Sequence, residues 1–290
     1  MLLPRFDFHA PDSLQEALEI LAAHEDRAKV IAGGTDLMVN MKNKVVRPEH
    51  LVSLARIDSL SALTSQNGSV CIGAAVTVDE LARSETVCGT ISALADGARA
   101  LGTPLIRNRA TIGGNIGSAR PAADLPPALM AYGASVVLMG SGTERVVPLE
   151  RLFKGPGLTI LAPGECITEI RVPKPPDGAG AGYINLGVRK SQDCNIVNVA
   201  SYLCLDGDGS IADARIVMGS VGPTPLRAPS AEALLKGEQP DEALFARAGE
   251  SAAGDSTPIL DFRGSAQYRR DMVAVLTKRT LARALKEARS

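Results

Sequence analysis

Lys29-Val30-Ile31-Ala32-Gly33-Gly34-Thr35-Asp36-Leu37 is the stretch on which the reading of this chain turns. A short apolar run, suited to a buried strand, runs straight into two adjacent residues without a Cβ and then into a hydroxyl and a carboxylate side chain. Glycine reaches backbone torsions that cost other residues ~1–2 kcal/mol, and it lets main-chain N–H groups come close to an anion. The spacing is neither the strand–G-x-G-x-x-G–helix of a nicotinamide-binding Rossmann unit nor, lacking lysine, a P-loop. Leu37-Met38-Val39 and the polar residues after them read as a loop. A second pair occurs in Thr111-Ile112-Gly113-Gly114-Asn115. Two such corners, in a chain with no metal or nucleophile signature, suggest a diphosphate gripped from two sides through backbone amides. A branched Cβ at Gly34 is then expected to fall where that contact is made.

The chain has 290 residues, 45% of them hydrophobic, enough for a sizeable core in two domains, or in one large domain with a smaller appendage. A formal charge of −1 leaves no basic excess to attract nucleic acid or acidic lipid. The basic run from Arg269 and Arg270 to Lys278, Arg279, Arg283 and Lys286 is interrupted by acids at helical spacing and reads as a solvated helix face. No stretch approaches the ~18 apolar residues of a membrane span, and no basic-then-apolar leader opens the chain, so a cytoplasmic home is expected. Five scattered cysteines (Cys71, Cys88, Cys166, Cys194, Cys204) fit neither a disulfide framework nor an iron–sulfur or zinc site. His9, His24 and His50 fall in separate segments without metal-ligand spacing and read as surface or capping residues; no metal site is expected.

Local signals mark the elements. Asp12 or Ser13 caps a helix with apolar residues at Leu14, Ala17, Leu18 and Leu21. Leu51–Leu54 reads as a strand closing a first unit. Asn67-Gly68 is a hairpin turn before Val70–Ile72, and Thr77 with Glu80 forms a capping box. A helix over 91–101 ends at Gly102. Strands are expected over 134–139, 146–149 and 165–173. Lys174-Pro175-Pro176-Asp177-Gly178-Ala179-Gly180 reads as a linker. Strands near 181–188, 196–205 and 211–221, then helices near 230–235, 241–253 and 265–289, suggest a separate C-terminal α+β module.

In this order the sequence resembles the flavin-binding medium subunits of the molybdenum hydroxylases, the family of carbon monoxide and xanthine dehydrogenases. The resemblance rests on Phe6-Asp7-Phe8-His9-Ala10-Pro11, Ile31–Leu37, Ile106-Arg107-Asn108-Arg109-Ala110-Thr111-Ile112-Gly113-Gly114-Asn115, Pro121-Ala122-Ala123-Asp124, Pro223–Ala228 and Tyr268-Arg269-Arg270. It implies an α+β chain: a two-subdomain FAD-binding fold of the vanillyl-alcohol-oxidase type (1–55 and 56–173), a 174–180 linker, and a C-terminal flavoprotein domain over 181–290 with an antiparallel sheet and helices. It implies FAD against Val30, Ile31, Ala32, Gly33, Gly34, Thr35, Asp36 and Leu37. Thr111, Gly114, Asn115 and Ser118 would come from the second corner and Asp124 toward the adenosine end, with Leu101, Gly102 and Ile167 near the flavin. Asn185, where many relatives carry lysine, counts among the cofactor-facing residues. Cys194 stands where some carry an aromatic, with a plain buried thiol as the alternative to a flavin contact.

The function implied is electron transfer. A large subunit would hold the molybdenum cofactor and a small one two 2Fe–2S clusters, in a dimer of heterotrimers. Electrons would leave this chain's FAD to NAD, oxygen or a quinone. The resemblance implies no catalytic acid–base residue here, because the cofactor carries the redox chemistry. Two other readings stand beside it: a self-contained flavin oxidase of a small organic substrate, and a non-enzymatic module whose glycine corners are only turns.

Overall fold

A computed structural model describes residues 3–189 and 193–290. The first unit is a parallel three-stranded sheet of β1 (Asp7–His9), β2 (Ala28–Ile31) and β3 (His50–Ser53), ordered β1-β3-β2. The helix Leu14–His24 lays Ala17, Leu18 and Leu21 against it, and Ser13 is its cap, its hydroxyl accepting from the Glu16 amide at 3.1 Å. β2 runs into the glycine pair as expected. The segment beyond the pair, expected as a loop, is instead a short helix, Leu37–Lys42. The Met38 amide donates back to the Gly34 carbonyl at 3.0 Å, so the helical turn begins at the glycine itself.

The second unit is an antiparallel five-stranded sheet. Its strands are β4 (Leu63–Gln66), β5 (Ser69–Gly73), β6 (Ser135–Gly140) and β7 (Thr143–Pro148), with β10 (Cys166–Pro173) at the centre of the order β4-β5-β10-β6-β7. A two-stranded ribbon, β8 (Phe153–Gly155) and β9 (Leu158–Thr159), lies between β7 and β10 in sequence. The β4–β5 turn places Asn67 and Gly68 at φ 50° and 69°, the left-handed pair that a two-residue hairpin needs. Thr77 and Glu80 form the expected capping box, and the expected helix over 91–101 is Ser92–Ala100.

The third sheet is β11 (Ala179–Leu186), β12 (Val197–Leu205), β13 (Ile211–Gly219) and β14 (Leu226–Arg227), all antiparallel. β11 starts inside the stretch read as linker, because the Ala179 amide already closes on the Pro176 carbonyl. With the helices after it this sheet forms a C-terminal module, and it also packs on the second unit. β12 is buried on both faces: Val197, Val199 and Leu203 join the core with helices Glu242–Asp255 and Ala266–Ala288. Ala200 and Tyr202, on the other face, join the core of the second unit.

A further expectation does not hold. Arg269 is not on a solvated face: it is 3% exposed, with Nη1 donating to the Ile196 and Ser220 carbonyls and Nη2 paired with Asp261 at 2.8 Å. The three histidines, far apart in sequence, meet beside the first sheet.

The first and second units touch where only glycine fits. A Cβ on Gly33 would lie 1.8 Å from the Arg109 carbonyl oxygen; within the second unit, one on Gly113 would lie 2.6 Å from the Ala74 side chain. A Cβ on Gly114 would meet only the Thr111 hydroxyl, at 3.0 Å. Gly33→Ala and Gly113→Ala are each expected to lower unfolding stability by about 3 kcal/mol or more, and Gly114→Ala by less than about 1 kcal/mol. Urea denaturation of the three variants checks this ranking, and equal losses would contradict the contact.

Candidate functional site: a cleft between the three sheets

A cavity of about 1160 Å³ opens where the three units meet. Small-molecule clefts run to roughly 300–1,000 Å³, so this one admits a ligand of dinucleotide size. Val30, Ile31, Ala32, Gly33, Gly34, Thr35, Asp36 and Leu37 all line it, as do Leu101, Gly102, Thr111, Gly114, Asn115, Ser118, Asp124 and Ile167. Asn185 does not, and its placement is a correction. It is exposed on β11 and donates to the Asn195 side-chain oxygen at 2.9 Å; Asn195, which is buried, is the wall residue.

The glycine corners differ in what they offer. Around the first, the amides of Gly33, Gly34, Thr35 and Asp36 have no acceptor among the described residues, and Asp36, the helix cap, makes no side-chain capping bond. These are the orphan donors of a helical start, and they border the cavity. Around the second, the amides are already used. Thr111 caps the helix Ile112–Gly117 by accepting from the Gly114 amide at 3.1 Å. The Ile112 amide donates to the Val76 carbonyl at 3.0 Å, and that of Gly113 to the Ala74 carbonyl at 2.9 Å. Two-sided backbone contact is therefore corrected to one side. The second corner offers side chains instead, above all Asn115, whose Oδ1 is buried without a partner. Gly34 is also reread: its φ of +71° demands glycine, but an added Cβ would meet Ile31 and Met38 at 3.3 Å rather than the cavity.

Carboxylates outnumber basic side chains along the wall, so a bound dianion would be met by neutral dipoles rather than by lysine. Leu101 and Gly102 come directly after the helix Ser92–Ala100, their turn held by Arg107 Nη1 donating to the Leu101 carbonyl at 3.0 Å. Ile167 reaches the cavity from β10, where the register with β6 shifts between Ile167 and Glu169.

Asp124 closes the far wall. Its Oδ1 accepts from Asn195 Nδ2 at 2.7 Å and from the Tyr183 hydroxyl at 3.0 Å. Asn198 Nδ2 donates to the Tyr183 hydroxyl and to the Ala123 carbonyl. This buried network joins the second unit to the third sheet. Sequence reasoning missed Asn195 and Arg269 as wall residues; the Tyr268-Arg269-Arg270 motif was the available signal. Cys194 is not buried: it is exposed and lines the cavity.

Two family descriptions divide the chain: "FAD binding domain in molybdopterin dehydrogenase" matches residues 4–175, and "CO dehydrogenase flavoprotein C-terminal domain" matches residues 183–284. The chain belongs to the FAD-binding subunits of the molybdopterin dehydrogenases. It is 34% identical to the carbon monoxide dehydrogenase medium chain of Hydrogenophaga pseudoflava, covering 97% of both chains. It is 35% identical to the 6-hydroxypseudooxynicotine dehydrogenase complex subunit alpha of Paenarthrobacter nicotinovorans, over 99% of this chain and 96% of that one. Its fold matches the solved carbon monoxide dehydrogenase of H. pseudoflava with a TM-score of 0.94, covering 99% of both chains at 35% identity. It is thus an oxidoreductase subunit with an FAD-binding domain, mixed in helix and sheet. Among the described residues no helix is long and apolar enough to cross a membrane.

Burial pushes the Asp124 carboxyl up from 3.8 to about 6, partly offset by the bonds from Asn195 and Tyr183. Between those values the folded chain keeps a proton that the unfolded chain has released. Stability therefore falls as pH rises from about 4 to about 6, and the cost is complete above that. Two units at 1.36 kcal/mol each set a ceiling of roughly 3 kcal/mol. Asp124→Asn keeps an acceptor for Tyr183 and Asn195 and is expected to lose this component of the pH dependence. Denaturation midpoints of FAD-free protein from pH 4 to 7 test it, and parallel curves for wild type and variant would refute it.

Proposed function

We propose that this chain is the electron-transfer subunit of a molybdenum hydroxylase. It would stand between the 2Fe–2S clusters of a small partner subunit and an external acceptor such as NAD, oxygen or a quinone, with the molybdenum cofactor on a large partner. One observation carries the reading: consecutive acceptor-free amides from Gly33 to Asp36 face the same cavity as the unpartnered Asn115 carboxamide. The first set would hold the FAD diphosphate and the second would add a side-chain bond. Thr111, Gly114 and Ser118 would shape that corner, while Val30, Ile31, Ala32, Leu37, Leu101, Gly102 and Ile167 would give it apolar and backbone walls. Asp124 would set the position of Asn195, and Asn185 would act only through Asn195. Bound FAD supplies the redox chemistry, accepting electrons singly and releasing them in pairs.

Relatives named as medium chains of carbon monoxide and glyceraldehyde dehydrogenases support a multi-subunit setting. So does the surface beside the cavity. Ile259, Leu260 and Phe262 stand exposed, Phe262 at 89%, next to the wall residues Asp261 and Arg263. Apolar side chains grouped this way suit a partner's surface. A dimer of heterotrimers is the assembly we propose.

Asn115→Ala is expected to weaken FAD retention roughly tenfold, about 1.5 kcal/mol, with the fold intact. Fluorescence titration of the stripped protein with FAD measures it, and unchanged affinity would remove Asn115 from the site. Affinity purification of the chain from its native host should bring iron and molybdenum with the flavin. Recovery of a yellow single chain free of both metals would overturn the electron-transfer reading while leaving FAD binding in place.

A further inference from the structure

We propose that His9, His24 and His50 form a binding site for a divalent transition-metal ion, one that clips β1, β3 and the end of the first helix together. His9 closes β1, His24 ends the helix Leu14–His24, and His50 opens β3. One nitrogen from each ring lies within 4.8 Å of those of the other two. His9 Nε2 and His50 Nδ1 are 3.1 Å apart. Two nitrogens each ~2.0–2.1 Å from one ion are separated by roughly 3–3.4 Å, so this pair already has the spacing of two ligands on a shared cation. At present a single hydrogen bridges them, and a metal would take its place.

His24 supplies the third ligand. Its ring stacks on that of His50 with centroids 3.6 Å apart and an interplanar angle of 21°. Its Nδ1 is buried without a hydrogen-bond partner. That nitrogen is the independent sign of a missing ligand, since a buried polar atom left unpaired costs ~1–3 kcal/mol. Asp7 Oδ2 lies 3.8 Å from His50 Nδ1 and places a negative charge beside the site, with water left to complete the coordination. Three imidazoles select zinc, copper, nickel or cobalt over calcium and magnesium, which prefer oxygen.

The chemistry is structural. The ion would join three elements separated in sequence, and none of the three histidines lines the cleft, so the ion and FAD would occupy separate places. The test uses the untagged full chain with FAD bound, dialysed free of metal and titrated with Co²⁺. The expected result is one ion per chain with the visible absorption of a cobalt–imidazole complex, displaced by Zn²⁺. His24→Leu removes no hydrogen bond from the fold and should weaken Co²⁺ binding about tenfold or more while the flavin content stays at wild-type level. Cys194→Ser, a control for the exposed thiol, should leave binding unchanged. His9→Gln should behave as His24→Leu does. Absence of stoichiometric binding, or equal affinity in His24→Leu and wild type, would overturn the site.

Discussion

The whole cleft depends on a backbone-to-backbone approach that tolerates no side chain. Gly33 comes so close to the Arg109 carbonyl that a Cβ would sit 1.8 Å from the oxygen, and Gly113 meets Ala74 almost as tightly. The first contact brings the end of β2 onto the second unit, the second seats the helix Ile112–Gly117 within that unit, and together they fix the wall from which the acceptor-free amides face the cavity. Glycine here serves packing first; the access to anions that its absent side chain permits comes with it. The two functions fall on adjacent residues: Gly33 makes the close approach and Gly34 takes the positive φ that starts the helical turn.

Holding a doubly charged diphosphate without lysine is a consequence of that geometry. Main-chain dipoles are fixed by the fold and need no side-chain ordering. The second corner cannot share this task, because its amides are committed to Val76, Ala74 and the Thr111 cap. Its contribution passes to Asn115 Oδ1, an acceptor that suits a ligand N–H or O–H rather than the diphosphate. The two Gly-Gly pairs look equivalent as text and differ in the folded chain because one helix start is capped and the other is not.

The third sheet completes the site through alternation. On β12, Val197, Val199 and Leu203 serve the C-terminal core, while Ala200 and Tyr202 serve the second unit, and Asn198 joins the buried bonds around Tyr183. A slip of one residue would exchange the two sets and pull the network from Asp124. Burying that carboxylate is costly, but it ties the third sheet to the cleft wall at a defined place.

Signals carried by neighbouring residues were legible in the chain alone. The Ser13 cap, the Thr77–Glu80 box, the Asn67-Gly68 hairpin and the C-terminal strands and helices are set by interactions over a few residues, and the glycine motifs with their flanks pointed to the family and to most of the cleft wall. What tertiary structure decided lies farther apart: the Asn195–Asp124 bond spans 71 residues, and the His9–His50 contact spans 41. No local periodicity encodes such pairs. The short helix after Gly34, the burial of Arg269, the replacement of Asn185 by Asn195 in the cleft wall and the meeting of three histidines all depend on which elements pack together, and hydrogen-bond donors are spent or left free only once that packing is complete.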